Sequence, residues 1–143
     1  MAIALTAEHE AAMRAHAERD YPDECCGLLL GQFESDGAKR VVETLPISNA
    51  REEGARRRRF LIRPEEWLAG ERRARQQGLE IIGFYHSHPD HPAVPSSYDL
   101  EHALPIYSYI IVAVEHGAAR DLRSWQMRDD RSQFDEEEIV KGV

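Results

Sequence analysis

The sequence predicts a single α/β domain spanning residues 1–143: a mixed, mostly antiparallel curved sheet with flanking helices. Three observations predict it. The chain has 143 residues, about one domain's worth and enough to bury a core. Short apolar runs bounded by turn residues alternate with two longer stretches of helical pattern. No internal repeat or low-complexity linker divides them.

Taken in order, Thr6 to Arg19 reads as a helix with Thr6 as its N-cap and Glu8 and Glu10 at the positive end of its dipole. Three residues beyond the cap stands His9, so no capping box is expected. Pro22 biases Tyr21 towards extended backbone and ends the helix. "CCGLLLG", Cys25 to Gly31, reads as a buried strand, "SDG" at Ser35 to Gly37 as a hairpin turn, and Arg40 to Leu45 as the returning strand. Asn49 to Arg58 is a polar loop, and "RFLI", Arg59 to Ile62, a short strand. Pro64 opens a second helix that runs to Gln77, with Gly78 as its stop and Gly70 an unfavourable residue inside it. Leu79 to His88 is a strand, Ser97 to Ala103 a short helix with Asp99 in its first turn, and Tyr109 to Glu115 a buried strand. A partner strand follows Gly117 near Leu122 to Met127, and Phe134 to Val140 reads as weakly helical.

Composition narrows the function. With 18 Lys and Arg against 26 Asp and Glu, the net charge of −8 argues against a general nucleic-acid binder. No apolar run approaches the roughly 20 residues of a membrane span. The first 20 residues lack a basic n-region followed by an apolar h-region, so a cytoplasmic protein is expected. Arg51, Arg56 to Arg59 and Arg63 crowd one stretch, which reads as a solvated loop or a dock for an acidic partner. Asp129, Asp130 and Asp135 to Glu138 read as a solvated tail. The adjacent Cys25 and Cys26 supply neither a disulfide framework nor a CxxC metal knuckle, and at least one reads as a small buried hydrophobe.

The chemistry concentrates in "GFYHSHPDHPAVPSSYD", Gly83 to Asp99. Residues i and i+2 of a strand share a face, so His86 and His88 can aim both imidazoles at one point. Pro89 stops the strand, which sets the pair at a strand end. Two further prolines stiffen the loop that returns Ser96 and Asp99, three residues apart, to one side of a helical turn. Two neutral histidines and a carboxylate suit a catalytic zinc ion with water in the fourth position. Asp90 and His91 sit in the loop and are expected to be exposed, and Ser97 lacks the three-residue spacing to Asp99. No HExxH is present, nor the H-x-E with PCxxC of a zinc deaminase.

"HSHPDHPAVPSSYD" resembles the JAMM signature of the MPN-plus metallopeptidases, His-x-His-x7-Ser-x2-Asp, at His86, His88, Ser96 and Asp99. "DECCGLLLG", "ISNA", "RFLIRPEEWL" and "ARQQGLEIIGFYHSHP" resemble the prokaryotic single-domain members, so the resemblance covers about residues 1 to 127. It implies the JAMM/MPN fold, whose sheet is cytidine-deaminase-like, and one Zn2+ per chain held by His86, His88 and Asp99. It implies Glu24 as the general acid–base, taking a proton from the attacking water and handing it to the leaving amine, and Ser96 as the oxyanion donor. The implied reaction is hydrolysis of a peptide or isopeptide bond at the C-terminal tail of a ubiquitin-like sulfur carrier protein or its conjugate. A metal-independent MPN-type scaffold and a small-peptide amidase stay open as alternatives.

Overall fold

A computed structural model describes residues 2–50 and 62–141. Its elements run β1 (Ala2–Leu5), α1 (Ala7–Asp20), β2 (Cys26–Phe33), β3 (Lys39–Ile47), α2 (Pro64–Gln76), β4 (Glu80–Pro89), α3 (Ser97–His102), β5 (Ser108–Glu115), β6 (Ala118–Met127) and β7 (Phe134–Lys141). The strands close into a barrel in the order β1-β3-β2-β4-β5-β6-β7. The expected curved sheet with flanking helices is therefore corrected to a sheet closed into a barrel, while its mixed character holds. β4–β5, β1–β3 and β1–β7 run parallel, and the other neighbours are antiparallel.

Closure comes from the two segments that the sequence conceals. β1 is only four residues long, too short for a periodic signal, yet Ile3 and Leu5 are fully buried and the strand bridges β3 and β7. Phe134–Lys141 is a strand and not the weak helix expected. Its acidic run looks solvated, but alternation turns Glu137 inward while Glu136 and Glu138 face water. Pairing with β6 on one side and β1 on the other then outweighs helix propensity. The expected solvated acidic tail is likewise corrected at Glu137. The "RFLI" strand and most of the arginine-rich stretch lie outside the described residues.

The two main helices cover opposite faces of the sheet. α1 packs across β3 to β6, and its Met13 and Ala17 meet Leu29, Ile82, Tyr85, Ile110 and Val112. Its N-terminus does carry a capping box, contrary to expectation. The Thr6 N–H donates to His9 Nδ1 and the His9 N–H to Thr6 Oγ1, both at 3.2 Å, so an imidazole does what a Glu usually does. α2 lies on the other face, where Trp67 stacks on Phe84 and Ala74 joins Leu28, Leu30 and Ile81. Gly70 lets the helix approach closely there, since a Cβ would displace the end of the Leu28 side chain. Cys25 and Cys26 are both buried free thiols, one in each core layer. No helix among the described residues is long and apolar enough to cross a membrane.

A buried polar knot ties the barrel together. Lys39 Nζ donates to Glu137 Oε2 at 3.0 Å and to Gln126 Oε1 at 2.9 Å, and Ser108 and Ser124 donate to Glu137 Oε1 at 2.6 and 2.9 Å. Both charged side chains are almost fully enclosed. Removing one partner leaves an uncompensated buried charge, so Lys39→Met is expected to cost about 3–5 kcal/mol in urea denaturation. A loss below about 1 kcal/mol would show that the pair does not hold the strands together.

Candidate functional site

The site begins with the register of β4. Cys26 pairs with His86 across β2, and His86, Ser87 and His88 pair with Ile111, Val112 and Ala113 of parallel β5. Held on both sides, the strand cannot slip, and its period of two sends His86 and His88 to one face. Both are buried.

The loop after Pro89 is pinned at several points. Asp90 sits in the left-handed region at φ 57°, which an Asp side chain tolerates by local hydrogen bonding. Its carboxylate accepts from the Tyr21 hydroxyl at 2.7 Å and the His116 N–H at 2.8 Å, and its N–H donates to the Val114 carbonyl at 2.6 Å. Trp125 Nε1–H donates to the Ala93 carbonyl at 2.9 Å. The chain then enters α3, where Ser96 is the N-cap. The Asp99 N–H donates to Ser96 Oγ at 3.1 Å, and the Ser96 N–H donates to Asp99 Oδ2 at 2.9 Å. That capping box aims the Asp99 carboxylate back at β4.

Three side chains therefore converge. His86 Nε2 lies 3.2 Å from His88 Nε2 and 3.3 Å from Asp99 Oδ1, and His88 Nε2 lies 3.2 Å from Asp99 Oδ2. His88 Nδ1 lies 2.8 Å from the Pro92 carbonyl, which can only accept, so that nitrogen carries the hydrogen and Nε2 of the neutral ring offers a lone pair. Acceptor atoms gathered this closely call for a cation or extra protons between them. The spacing fits the first: with bonds of about 2.0–2.1 Å, a tetrahedral zinc ion has ligands about 3.3–3.4 Å apart. His86, His88 and Asp99 form the one group among the described residues with ligand atoms close enough to hold a metal ion.

In the metal-free protein, burial and mutual charge shift all three groups from their ordinary ranges. Burial pulls His86 below its ordinary range against the nearby Asp99 charge. Burial acts on His88 too, but hydrogen bonding to Asp99 and the Pro92 carbonyl prevails and lifts it. Asp99 would rise on burial, yet the two imidazoles and the Ser96 N–H hold it well below the usual carboxylate range.

Glu24, which the resemblance implies as the general acid–base, is buried just before β2. It lines a depression of about 320 Å³ with His88, His91, Pro92, Val94 and Ser96. Burial pushes its carboxyl up to about 8; the positive charge on His88 opposes this, and Asp99 adds to it. Ser96 Oγ accepts from its own helix, and Ser96 lines the same depression. Of the five residues singled out in the sequence, His86, His88 and Asp99 converge, and Glu24 and Ser96 line a depression together with His88. Asp90, His91 and Ser97 are exposed, and none belongs to the convergent group. Sequence reasoning missed the anchoring roles of Asp90 and Trp125, since Trp125 acts from a distant strand and a loop Asp carries no signal of its partners.

The comparisons with known proteins agree with this architecture. The family of prokaryotic homologues of the JAB domain, Prok-JAB, matches residues 6–128. A desampylase from Haloferax volcanii is 36% identical over 114 residues, covering 76% of this chain and 78% of that one. A CysO-cysteine peptidase from Mycobacterium tuberculosis is 33% identical over 129 residues, covering 89% and 84%. A solution structure of a Desulfitobacterium hafniense protein superposes with a TM-score of 0.84 at 32% identity, covering 98% of this chain and 92% of that one. With the family model matched over most of its length, the chain belongs to the Prok-JAB family and carries the JAB/MPN fold.

Proposed function

We propose that the chain is a zinc-dependent peptidase or isopeptidase acting, as one catalytic domain, on the C-terminal tail of a ubiquitin-like sulfur carrier protein or its conjugate. The observation that carries this is the convergence of His86, His88 and Asp99 beside a depression that His88 shares with the buried Glu24 carboxyl and with Ser96. The substrate class is supported by relatives named for desampylation and for cleaving a CysO–cysteine link. The two buried free thiols fit a reducing, cytoplasmic setting.

His86, His88 and Asp99 would hold the ion, which when bound supplies Lewis acidity for polarising an amide and making water nucleophilic near neutral pH. Glu24 takes the proton of the attacking water and delivers it to the departing amine, a role that needs a carboxyl able to gain and lose a proton near pH 7. Ser96 donates its hydroxyl hydrogen to the oxygen of the amide as negative charge gathers there. Val94, about half exposed, provides an apolar rim for the substrate backbone.

The direct experiment incubates the zinc-loaded protein with a ubiquitin-like carrier bearing a C-terminal cysteine, and separately with a carrier joined to a lysine side chain. Release of carrier from either is expected. No release from either substrate, with about one zinc bound per chain, would overturn the proposed activity.

Side-chain roles separate in mutants. His86→Ala, His88→Ala and Asp99→Ala are expected to lose zinc and activity together, read by metal analysis of the purified variants. Glu24→Gln should keep zinc but lose about 10² to 10⁴ in turnover. Ser96→Ala should keep zinc and lose about 10² to 10³. If Glu24→Gln strips the metal instead, the acid–base assignment is wrong.

Glu24 also makes a signed pH prediction. Its folded-state value of about 8 lies above the ordinary 4.5, so the metal-free fold loses stability as pH rises from about 4.5 towards 8. Glu24→Gln removes that loss. The stability of metal-free Glu24→Gln relative to the parent, measured in urea, is expected to grow from pH 5 to pH 8; a constant difference would mean that the carboxyl is not held neutral by burial.

A further inference from the structure

β2 begins at Cys26, opposite His86, and one residue earlier the ladder changes character. The Ser87 N–H donates to the Cys25 carbonyl at 3.2 Å, but the Cys25 N–H donates to the Ser87 hydroxyl oxygen at 2.8 Å. A side chain has taken over one rung of the sheet. Both residues are fully buried, so water cannot replace that bond.

The carbonyl of the same peptide unit, that of Glu24, accepts from Asn49 Nδ2 at 3.0 Å. The Glu24–Cys25 peptide is thus gripped at both ends, its oxygen by Asn49 from beyond β3 and its hydrogen by Ser87 from β4. A trans peptide is planar, with oxygen and hydrogen on opposite edges. Rotating it would break both bonds at once. Its orientation sets ψ of Glu24, and with it the direction in which the carboxyl projects into the depression shared with His88 and Ser96.

Resting on Glu24 as the general acid–base, we propose that Ser87 and Asn49 are positioning residues that aim its carboxyl by clamping the single peptide behind it. Ser87 is suited to this by its position. Standing between His86 and His88 on β4, it points to the opposite face, so the strand that carries the histidines also sets the carboxyl relative to them. Small displacements of a reacting group can cost about 10²-fold in rate. Ser87→Ala is therefore expected to lower kcat by about 10- to 100-fold with KM within about twofold.

A double-mutant cycle distinguishes positioning from general support of the fold. Ser87→Ala and Asn49→Ala are each made in the parent and in Glu24→Gln, with turnover, zinc affinity by chelator competition and amide exchange at Cys25 as readouts. The expected result is a large loss of kcat in the parent, less than about a twofold further loss in Glu24→Gln, unchanged zinc affinity, and faster exchange at Cys25 in Ser87→Ala. Equal losses in both backgrounds would overturn the proposal. So would parent-like turnover of both single variants while Glu24→Gln is inactive. Full activity of Glu24→Gln would instead overturn the acid–base role, and the positioning role with it. If Ser87→Ala fails to fold, the cycle on Asn49→Ala decides alone.

Discussion

The structure turns on a mutual repulsion that something must relieve. Two imidazole nitrogens and a carboxylate are forced within about one tetrahedral edge of each other, in a corner where water gives little screening. Left alone, such atoms would move apart, so the surrounding structure has to hold them. Parallel pairing with β5 and antiparallel pairing with β2 fix β4 from both sides. The Pro92 carbonyl fixes the tautomer of His88, and the N-terminal box of α3 fixes Asp99. Each of these supports is itself anchored, the loop by Asp90 and Trp125 and the strand by the barrel.

Closing the barrel explains how a domain of this size supports such a corner. Among the described residues, seven strands without a free edge give a stiff wall, with one helix on each face and a buried, hydrogen-bonded charge pair. The wall lets polar chemistry sit at the end of β4 without loosening the core behind it. The same burial that stabilises the wall lifts Glu24 into the range where a carboxyl can both give and take a proton. Packing and the raised Glu24 carboxyl are here two effects of one desolvation.

How much of this could be read from the sequence depended on how local the cause was. The histidine pair, the stiff loop and the Ser96–Asp99 spacing are separated by a few residues, and strand and helix periods alone bring them together. The interior strands were legible because Leu28 to Leu30 and Ile110 to Val114 are apolar whichever way they face. β1 is too short to show a period, and β7 hides an inward Glu137 among outward acids whose sense depends on Lys39, 98 residues away. The box at His9 went unread because the rule expects a carboxylate or amide where an imidazole serves. Glu24 stood out only through family resemblance, since nothing near it in the chain announces that Asn49 and Ser87 will enclose its backbone.

The most direct test of the central claim is X-ray absorption at the zinc edge on the zinc-loaded protein. The expected spectrum has nitrogen and oxygen neighbours only, at about 2.0–2.2 Å, with the multiple-scattering signature of two imidazoles, lost when His86 or His88 is replaced. A sulfur shell near about 2.3 Å, which would point to Cys25 or Cys26, or a spectrum unchanged by replacing either histidine, would contradict it.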